Sequence, residues 1–215
     1  MTAAIWPLFG LEVSTPRLSL RYVTDADGGQ LADLAAQGIH DPATMPFSEP
    51  WTDVEPPELQ RNSLRYFWRC RSETSSERWH LNLGARDQDD RLIGVCSVDA
   101  TDFPTTRSAT TGSWLGGRYQ RRGFGREMRQ AALHLIFAGL HGNRAATRAW
   151  HDNTASLAVT RSLPYTEDGA AQEQRRDRSD TMLAFSMTEQ QWQTVRRDDI
   201  QLAGIAQVRK FLGIT

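Results

Sequence analysis

The stretch SWLGGRYQRRGFGREM, residues 113–128, is the most informative segment of this chain. It joins a short apolar run to a segment with helical spacing of apolar residues, and it holds four glycines and four arginines. Free backbone N–H groups at the start of a helix bind anions, and Gly123 and Gly125 let the backbone approach a phosphate closely. Three flanking arginines add charge and paired donors: Arg121, Arg122 and Arg126. Locally, the stretch is either a pyrophosphate site or a glycine-rich connector with a solvated basic face.

The composition indicates a globular domain in which any anion site must be local. The chain has 215 residues, 39% of them hydrophobic and 24% charged, and its net charge is −1. Such a balance predicts no general attraction to nucleic acid or to an anionic membrane. The two cysteines, Cys70 and Cys96, lack metal or redox spacing, which favours a reducing cytoplasm and no metal centre. The start of the chain does not have the pattern of a secretory leader, and no apolar run reaches 18 residues.

Hydrophobic periodicity around the stretch predicts an alternation of strands and helices. Seven segments read as strands: 17–23, 79–86, 91–99, 109–115, 145–150, 165–172 and 181–187. Helices are predicted over 25–38 from a cap at Asp25, after Thr52 or Asp53, over 124–139, over 153–162, from Thr188 and over 202–212. Residues 88–90 form the turn of a hairpin. The fold class is therefore α/β (α+β), with a mixed sheet that has parallel pairing where helices cross over.

Known phosphate-binding motifs narrow the interpretation of the glycine turn. No Gly-Lys-Ser/Thr follows, so the turn is not a P-loop, and Met128 occupies the third glycine position of the dinucleotide fingerprint. The run Gln120–Gly125 (QRRGFG) resembles instead the Gln/Arg-x-x-Gly-x-Gly/Ala signature of the GCN5-related N-acetyltransferases (GNAT).

Three further motifs resemble the branch of this superfamily that contains the bacterial ribosomal-protein N-terminal acetyltransferases. Residues 14–18 (STPRL) are similar to its opening "TPRL", 112–116 (GSWLG) to its "GYWLG" strand, and 152–156 (DNTAS) to its "NxxS" helix start. The resemblance runs in order from about Thr15 to Met187. The chain departs from the family pattern at two places. Pro164–Tyr165 replaces a Gly-Phe pair. Thr160 stands where some protein N-terminal acetyltransferases carry a tyrosine acid.

The resemblance implies a centrally splayed sheet of about six to seven strands and direct transfer of an acyl group from acyl-coenzyme A to an amine. It implies that the pyrophosphate is held by the signature and its neighbour: Gln120, Arg121, Arg122, Gly123, Phe124, Gly125 and Arg126. It implies further that Ser113, Trp114 and Leu115 bind the pantetheine arm and thioester through their backbone. Asn153 would meet the same arm, and Ser156 would face the sulfur. Simple helix capping is the alternative for Asn153 and Ser156, and core packing is the alternative for the Trp114 side chain.

The chemistry needs a base for the amine and a donor for the leaving thiolate. Ser156 is the candidate donor, and Asp99, at the end of a predicted strand, is the preferred base. Glu49, His40 and His80 are alternatives, and a solvated surface carboxylate is the competing interpretation for both acidic residues.

The acceptor is predicted to bind between residues 40–53 and 173–180. Phe47, Glu49 and Trp51 make the first of these loops the better pocket wall, since it is rich in proline and aromatic residues. Acetyl is the family's commonest acyl group, and succinyl stays open as an alternative. The acceptor is a protein N-terminus, a lysine or a small amine. A non-catalytic coenzyme A-binding sensor and a nucleotide-phosphate binder are the competing functions.

The domain organisation is predicted as one acyltransferase domain over 1–187 and a helical extension over 188–215. Apolar residues of the extension need a surface: Trp192, Ile200, Leu202, Ile205, Phe211 and Leu212. That surface is either the domain itself or a second copy in a homodimer.

Overall fold

A computed structural model describes residues 3–215, which form one nine-stranded sheet flanked by helices. The strands are β1 (Glu12–Ser14), β2 (Ser19–Tyr22), β3 (Arg78–Arg86), β4 (Leu92–Thr101), β5 (Ser108–Leu115), β6 (Arg144–Trp150), β7 (Thr166–Arg175), β8 (Arg178–Thr188) and β9 (Gln201–Ala203). The helices are α1 (Asp25–Ala36), α2 (Glu58–Glu73), α3 (Phe103–Thr106), α4 (Phe124–His134), α5 (Thr154–Arg161), α6 (Glu189–Gln193) and α7 (Ile205–Phe211).

The strand order is β7-β8-β6-β5-β4-β3-β2-β1-β9. Every neighbouring pair is antiparallel except β5 and β6, which are parallel and are joined through α4. The predicted mixed sheet is confirmed, with nine strands rather than six to seven. The two additional strands, β1 and β9, have three residues each, too few for a period of two to stand out.

Helix starts show where the sequence prediction needed long-range information. Thr24, not Asp25, caps α1, and Asp27 completes a capping box with it. Helix α2 begins at Glu58 without a side-chain cap, so the prediction of a cap at Thr52 or Asp53 is wrong. The oxygens of those two residues bind side chains from elsewhere in the chain.

The main core lies between one face of the sheet and α4. Helix α4 and the π-helical turn after it (Leu135–Gly139) bury their apolar stripe completely: Met128, Ala131, Ala132, Leu135 and Ile136. Residues of the C-terminal extension belong to the same core: Trp192, Ile200, Val208, Leu212 and Ile214. Strand β9 pairs with β1, and Leu202 therefore lies in a strand rather than in the helix predicted over 202–212.

The opposite face of the sheet carries α1 and α2. The β7–β8 hairpin extends one edge of the sheet, and its pairing shifts register between Glu167 and Gly169, where Gly169 has a φ of 134°. Within residues 3–215 no helix is long and apolar enough to cross a membrane.

Candidate cofactor and acceptor site

Strands β5 and β6 pair only at one end and then part. Their parallel register covers Ser108–Thr110 and Arg144–Ala146. At the next residue along each strand, side-chain hydrogen bonds replace the backbone hydrogen bonds between the strands. The Thr111 hydroxyl donates to the Ala146 carbonyl at 3.2 Å, and the Thr147 hydroxyl donates to the Thr111 carbonyl at 3.1 Å. Beyond this bridge the strands are no longer paired, and the gap lies between 113–115 and 148–150.

The backbone of β5 turns different residues toward the gap. The carbonyl of Thr111 faces β6, and that of Leu115 accepts the Gln120 side chain at 2.9 Å. Because N–H and C=O alternate in direction along a strand, Ser113 and the Leu115 N–H face the gap as well. A Cβ on Gly94 would collide with the Trp114 carbonyl oxygen, so that group faces β4. Three residues were predicted to hold the pantetheine arm. Of these, Ser113 presents its backbone N–H and C=O to the gap, whereas the backbone groups of Trp114 face β4.

Aromatic side chains form a wall on the α1–α2 face of the sheet. Trp114 packs against Trp51 with ring centroids 6.0 Å apart, and Trp51 packs against Phe47 at 5.1 Å, with the rings tilted by 47° and 44°. His40 packs edge-on against Phe47 and binds the Thr52 hydroxyl at 2.7 Å, which gives it a structural partner. The structure thus brings the predicted acceptor residues Phe47 and Trp51 together with Trp114.

The glycine turn is built as the start of α4. Gly123 has a φ of 82° and precedes the helix without a side-chain cap, and the first helical bond runs from the Glu127 N–H to its carbonyl. The N–H groups of Phe124, Gly125 and Arg126 therefore have no partner within the helix. A Cβ on Gly125 would contact side chains of Val159 in α5 and Leu115 in β5 at 3.6 and 3.9 Å. The free N–H groups thus lie at the head of the gap, as an anion site requires.

Two side chains in this region have structural roles that the sequence did not reveal. Gln120 donates through its single amide nitrogen to the carbonyls of Ile39, at 2.6 Å, and Leu115. Arg17 lies over the Phe124 ring at 4.9 Å and binds the buried Glu127 carboxylate through Nε at 2.6 Å. A charged residue in the first turn of a helix was the available clue to this pair. Arg121 and Arg122 are exposed, as is Arg126.

Helix α5 begins beside the other wall of the gap. The Asn153 side chain accepts the Ser156 N–H at 3.1 Å as the helix cap and approaches the Pro46 carbonyl at 3.4 Å. The half-buried Ser156 hydroxyl has no hydrogen-bond partner among residues 3–215. Thr160 is fully buried, so the position of the missing tyrosine faces the core.

Asp99 and His80 form a pair on the same face as the aromatic wall. Asp99 lies opposite Thr110, the last β5 residue paired with β6, and its Oδ1 is 2.7 Å from His80 Nδ1. Both residues line a cavity of about 410 Å³ with Tyr66 and Glu73, and His80 Nε2 is 3.7 Å from a Glu73 oxygen. Loss of solvation, the Cys70 thiol and the Asp99 charge raise the pKa of the Tyr66 hydroxyl. The remaining predicted carboxylate, Glu49, is exposed.

Comparisons with known proteins agree with this geometry. Residues 17–166 match the family described as the acetyltransferase (GNAT) domain. A candidate ribosomal-protein-serine acetyltransferase from Vibrio cholerae superimposes with a TM-score of 0.63 at 20% identity, over 82% of this chain and 97% of the other. A chimera of spermidine N-acetyltransferase from Vibrio cholerae gives 0.65 at 16% identity over 82% and 98%. A GCN5-related N-acetyltransferase from Brucella melitensis gives 0.68 at 15% identity over 86% and 81%.

The structural matches show the shared fold, and the family match covers more than half of the chain. The splayed β5–β6 pair and the uncapped glycine turn are where the sequence signature placed them. The chain therefore belongs to the GNAT acetyltransferase family, whose members transfer acyl groups from acyl-coenzyme A to amines.

Proposed function

We propose that this protein transfers an acetyl group directly from acetyl-coenzyme A to a primary amine. The observation that carries the proposal is the free N–H row of Phe124, Gly125 and Arg126 at the head of the β5–β6 gap. A pyrophosphate on that row would direct the pantetheine arm along Ser113. Arg121, Arg122 and Arg126 would add charge, whereas the internal bonds of the Gln120 side chain favour a positioning role for that residue.

The reaction needs a hydrogen-bond donor for the sulfur and a base for the amine, and we assign each role to a side chain described above. The amine nitrogen attacks the thioester carbonyl carbon, the C–S bond breaks, and the coenzyme leaves as a thiolate that takes a proton from solvent, to which the base returns the proton lost by the amine. Ser156, with its unpartnered hydroxyl, is the proposed hydrogen-bond donor to that sulfur. The proposed base is the pair of His80 and Asp99, in which Asp99 orients the imidazole and His80 receives the proton lost by the amine. Asp99 thus keeps a role in proton removal, through His80.

The acceptor is proposed to bind on the face that carries the aromatic wall. Phe47, Trp51 and Trp114 favour an amine with an apolar group close to the reacting nitrogen. Two of the similar structures are a candidate ribosomal-protein-serine acetyltransferase and a spermidine N-acetyltransferase chimera, so both a protein N-terminus and a small amine belong in the test, beside lysine. Two free buried thiols fit a reducing cytoplasm, and we propose no nucleic-acid, membrane or metal partner. A homodimer remains a proposal for the oligomeric state.

One observation bears on each of two alternatives. Succinyl transfer requires a cation for the distal carboxylate, but Arg148, on the β6 side of the gap, is already paired with Glu173, which favours acetyl. A non-catalytic sensor of coenzyme A is supported by Thr160, which leaves no tyrosine acid on α5.

A thiol-release assay tests the proposal. The protein is incubated with acetyl- or succinyl-coenzyme A and a panel of phenethylamine, spermidine, a lysine peptide and a serine-initiated peptide. We expect thiol release with acetyl-coenzyme A that depends on the amine. Tight binding of acetyl-coenzyme A without release over the panel would support the sensor instead. Thermal stabilisation by ATP alone, and not by coenzyme A, would contradict both.

A further inference from the structure

Two consecutive arginines at the tip of the β7–β8 hairpin hold the loop that carries the aromatic wall. We call residues 40–53 the aromatic loop. It contains no helix or strand, so its backbone carbonyls need partners from elsewhere. Arg175 is the last residue of β7, and Arg176, with a φ of 56°, begins the turn. The two side chains bind different parts of the loop.

Arg175 is buried to all but 4% of its surface and joins three elements. Its Nε donates to the Met45 carbonyl at 2.8 Å, and its Nη1 binds both Asp152 oxygens at 2.8 and 2.9 Å and Asp180 at 2.9 Å. The guanidinium lies 5.0 Å from the centre of the Trp150 ring. Asp152 directly precedes the α5 cap, so Arg175 links the aromatic loop to the start of α5.

Among residues 3–215, the hydrogen bonds of the Arg176 side chain all go to the aromatic loop. Its Nε and Nη2 bind the two Asp53 oxygens at 2.6 Å each, and Nη2 also donates to the Pro42 carbonyl at 3.0 Å. A bidentate arginine–carboxylate pair fixes orientation as well as distance. Both ends of the aromatic loop are therefore fixed from the hairpin tip, on either side of Phe47 and Trp51.

Further donors from the gap complete the attachment. Trp150 donates its indole N–H to the Phe47 carbonyl at 2.9 Å, and Asn153 approaches the Pro46 carbonyl. The loop segment that places Phe47 against Trp51 is thus bound from β6, α5 and the hairpin together.

Resting on the proposed function, we propose that Arg175 and Arg176 are positioning residues that set acceptor selectivity by holding Phe47 and Trp51 of the aromatic loop against Trp114. Because the hydrogen bonds of the Arg176 side chain go to the aromatic loop, its loss acts on the acceptor and not on acetyl-coenzyme A. Loss of Arg175 acts on both substrates, since it also frees Asp152 beside α5. Removal of either arginine raises KM more for apolar amines, which need the aromatic rings in place, than for polyamines.

The test compares Arg176→Gln and Asp53→Asn with Arg178→Gln. Arg178 is the first residue of β8, directly after the same turn, and is exposed; among residues 3–215 its side chain has one polar partner, Asp180 at 3.4 Å, so it is the matched control. Hydrogen exchange over residues 40–53 is measured on each protein. KM is measured for phenethylamine, spermidine and acetyl-coenzyme A. We expect faster exchange in Arg176→Gln and Asp53→Asn, a KM for phenethylamine raised about tenfold and a KM for acetyl-coenzyme A within about twofold. Arg178→Gln should match the original protein.

The exchange measurement does not depend on catalysis. If the unaltered protein acetylates no amine, the proposed function fails, and exchange in Arg176→Gln still decides whether the arginine holds the loop. Unchanged exchange and an unchanged KM for phenethylamine would overturn the proposal. If Arg176→Gln does not fold, the half-exposed Asp53→Asn decides, because it removes the same pair from the other side. Restored exchange in the Asp53→Arg, Arg176→Asp protein would support it further.

Discussion

Gly123 meets two requirements that only glycine satisfies together. Its φ of 82° is a conformation that side chains disfavour, and a Cβ there would lie 3.3 Å from Arg17 Nη2. Arg17 cannot withdraw freely, because it is bound to the buried Glu127 carboxylate. A side chain at residue 123 would therefore be strained and would crowd Arg17 at the start of α4.

Gly123→Asp should weaken coenzyme A binding by about tenfold or more, since a charge-assisted hydrogen bond contributes about 1.5–3 kcal/mol. Isothermal titration with coenzyme A measures it. Gly29→Asp is the control, because Gly29 lies in α1 with open space around it and the added charge is the same. Equal affinity in the two variants would contradict the assignment of the pyrophosphate to this turn.

Ser156→Ala should lower kcat by about tenfold or more and leave coenzyme A affinity unchanged, because the hydroxyl would act on sulfur only as charge develops. Steady-state kinetics and a binding titration separate the two effects. Ser162→Ala removes a hydroxyl that donates to the Val159 carbonyl at the far end of the same helix, and it should leave kcat unchanged. A normal kcat in Ser156→Ala would remove Ser156 from the mechanism.

Both cysteines should be unreactive in the folded protein. Burial raises the pKa of the Cys96 thiol to about 12 and also raises that of Cys70, so at pH 8 the reactive thiolate is scarce at each. Ellman's reagent should detect neither thiol in the native protein and both in guanidinium chloride. Rapid reaction of the native protein would contradict this expectation and would require correction of the thiol-release assay.

At the scale of elements, local patterns predicted what local forces determine. The start of α4 could be predicted because Gly123 and Gly125 mark the point at which apolar residues begin to recur with a 3.6-residue period. The caps at Thr52 and Asp53 failed because their oxygens bind His40 and Arg176, and Arg176 lies 123 positions from Asp53 in the chain.

The same distinction applies to the candidate site. Its backbone geometry at Gly123 followed from the motif. The side-chain partners did not: Gln120 binds Ile39, 81 positions away, and the Arg175 contacts depend on how the hairpin folds over the aromatic loop. The pairing of His80 with Asp99 needed the β3–β4 register.

The stabilisation that ionised Asp180 contributes at the tip of the β7–β8 hairpin should be lost in acid. The ion pair with Arg175 and the hydrogen bond from the Thr181 N–H hold the pKa of the Asp180 carboxyl at about 2, below its ordinary 3.8. The His151 ring, whose Nε2 is 2.9 Å from an Asp180 oxygen, lowers this pKa further. A lowered folded-state pKa stabilises above the ordinary value, and that stabilisation disappears as the pH falls through about 2. Urea midpoints of the original protein and Asp180→Asn should therefore differ at pH 5 and converge between pH 4 and 2. A constant difference would contradict the assignment.

At the scale of the molecule, the C-terminal extension completes the sheet and its core. Strand β9 closes the β1 edge, and α7 places Val208 and Leu212 in the main cluster. A second copy is not needed to cover the apolar residues of α7 that lie in this core. The extension is therefore expected to contribute to the stability of the isolated chain.

Leu212→Ala should lower the free energy of unfolding by about 2–5 kcal/mol, because Leu212 is completely buried. Lys210→Ala, at an exposed position of α7 two residues before Leu212, should change it by no more than about 0.5 kcal/mol. Urea denaturation at two protein concentrations is the measurement. A midpoint that rises with concentration would show that the extension is stabilised across a dimer.

The register shift at Gly169 has a consequence for solubility. Strand β7 is the outermost strand, ten residues long and exposed over most of its length, and a flat edge of this kind recruits strands from other molecules. The bulge bends that edge, which disrupts regular pairing with a strand of a second molecule. The hairpin can therefore extend far enough to reach the aromatic loop without offering its outer side as a template for aggregation.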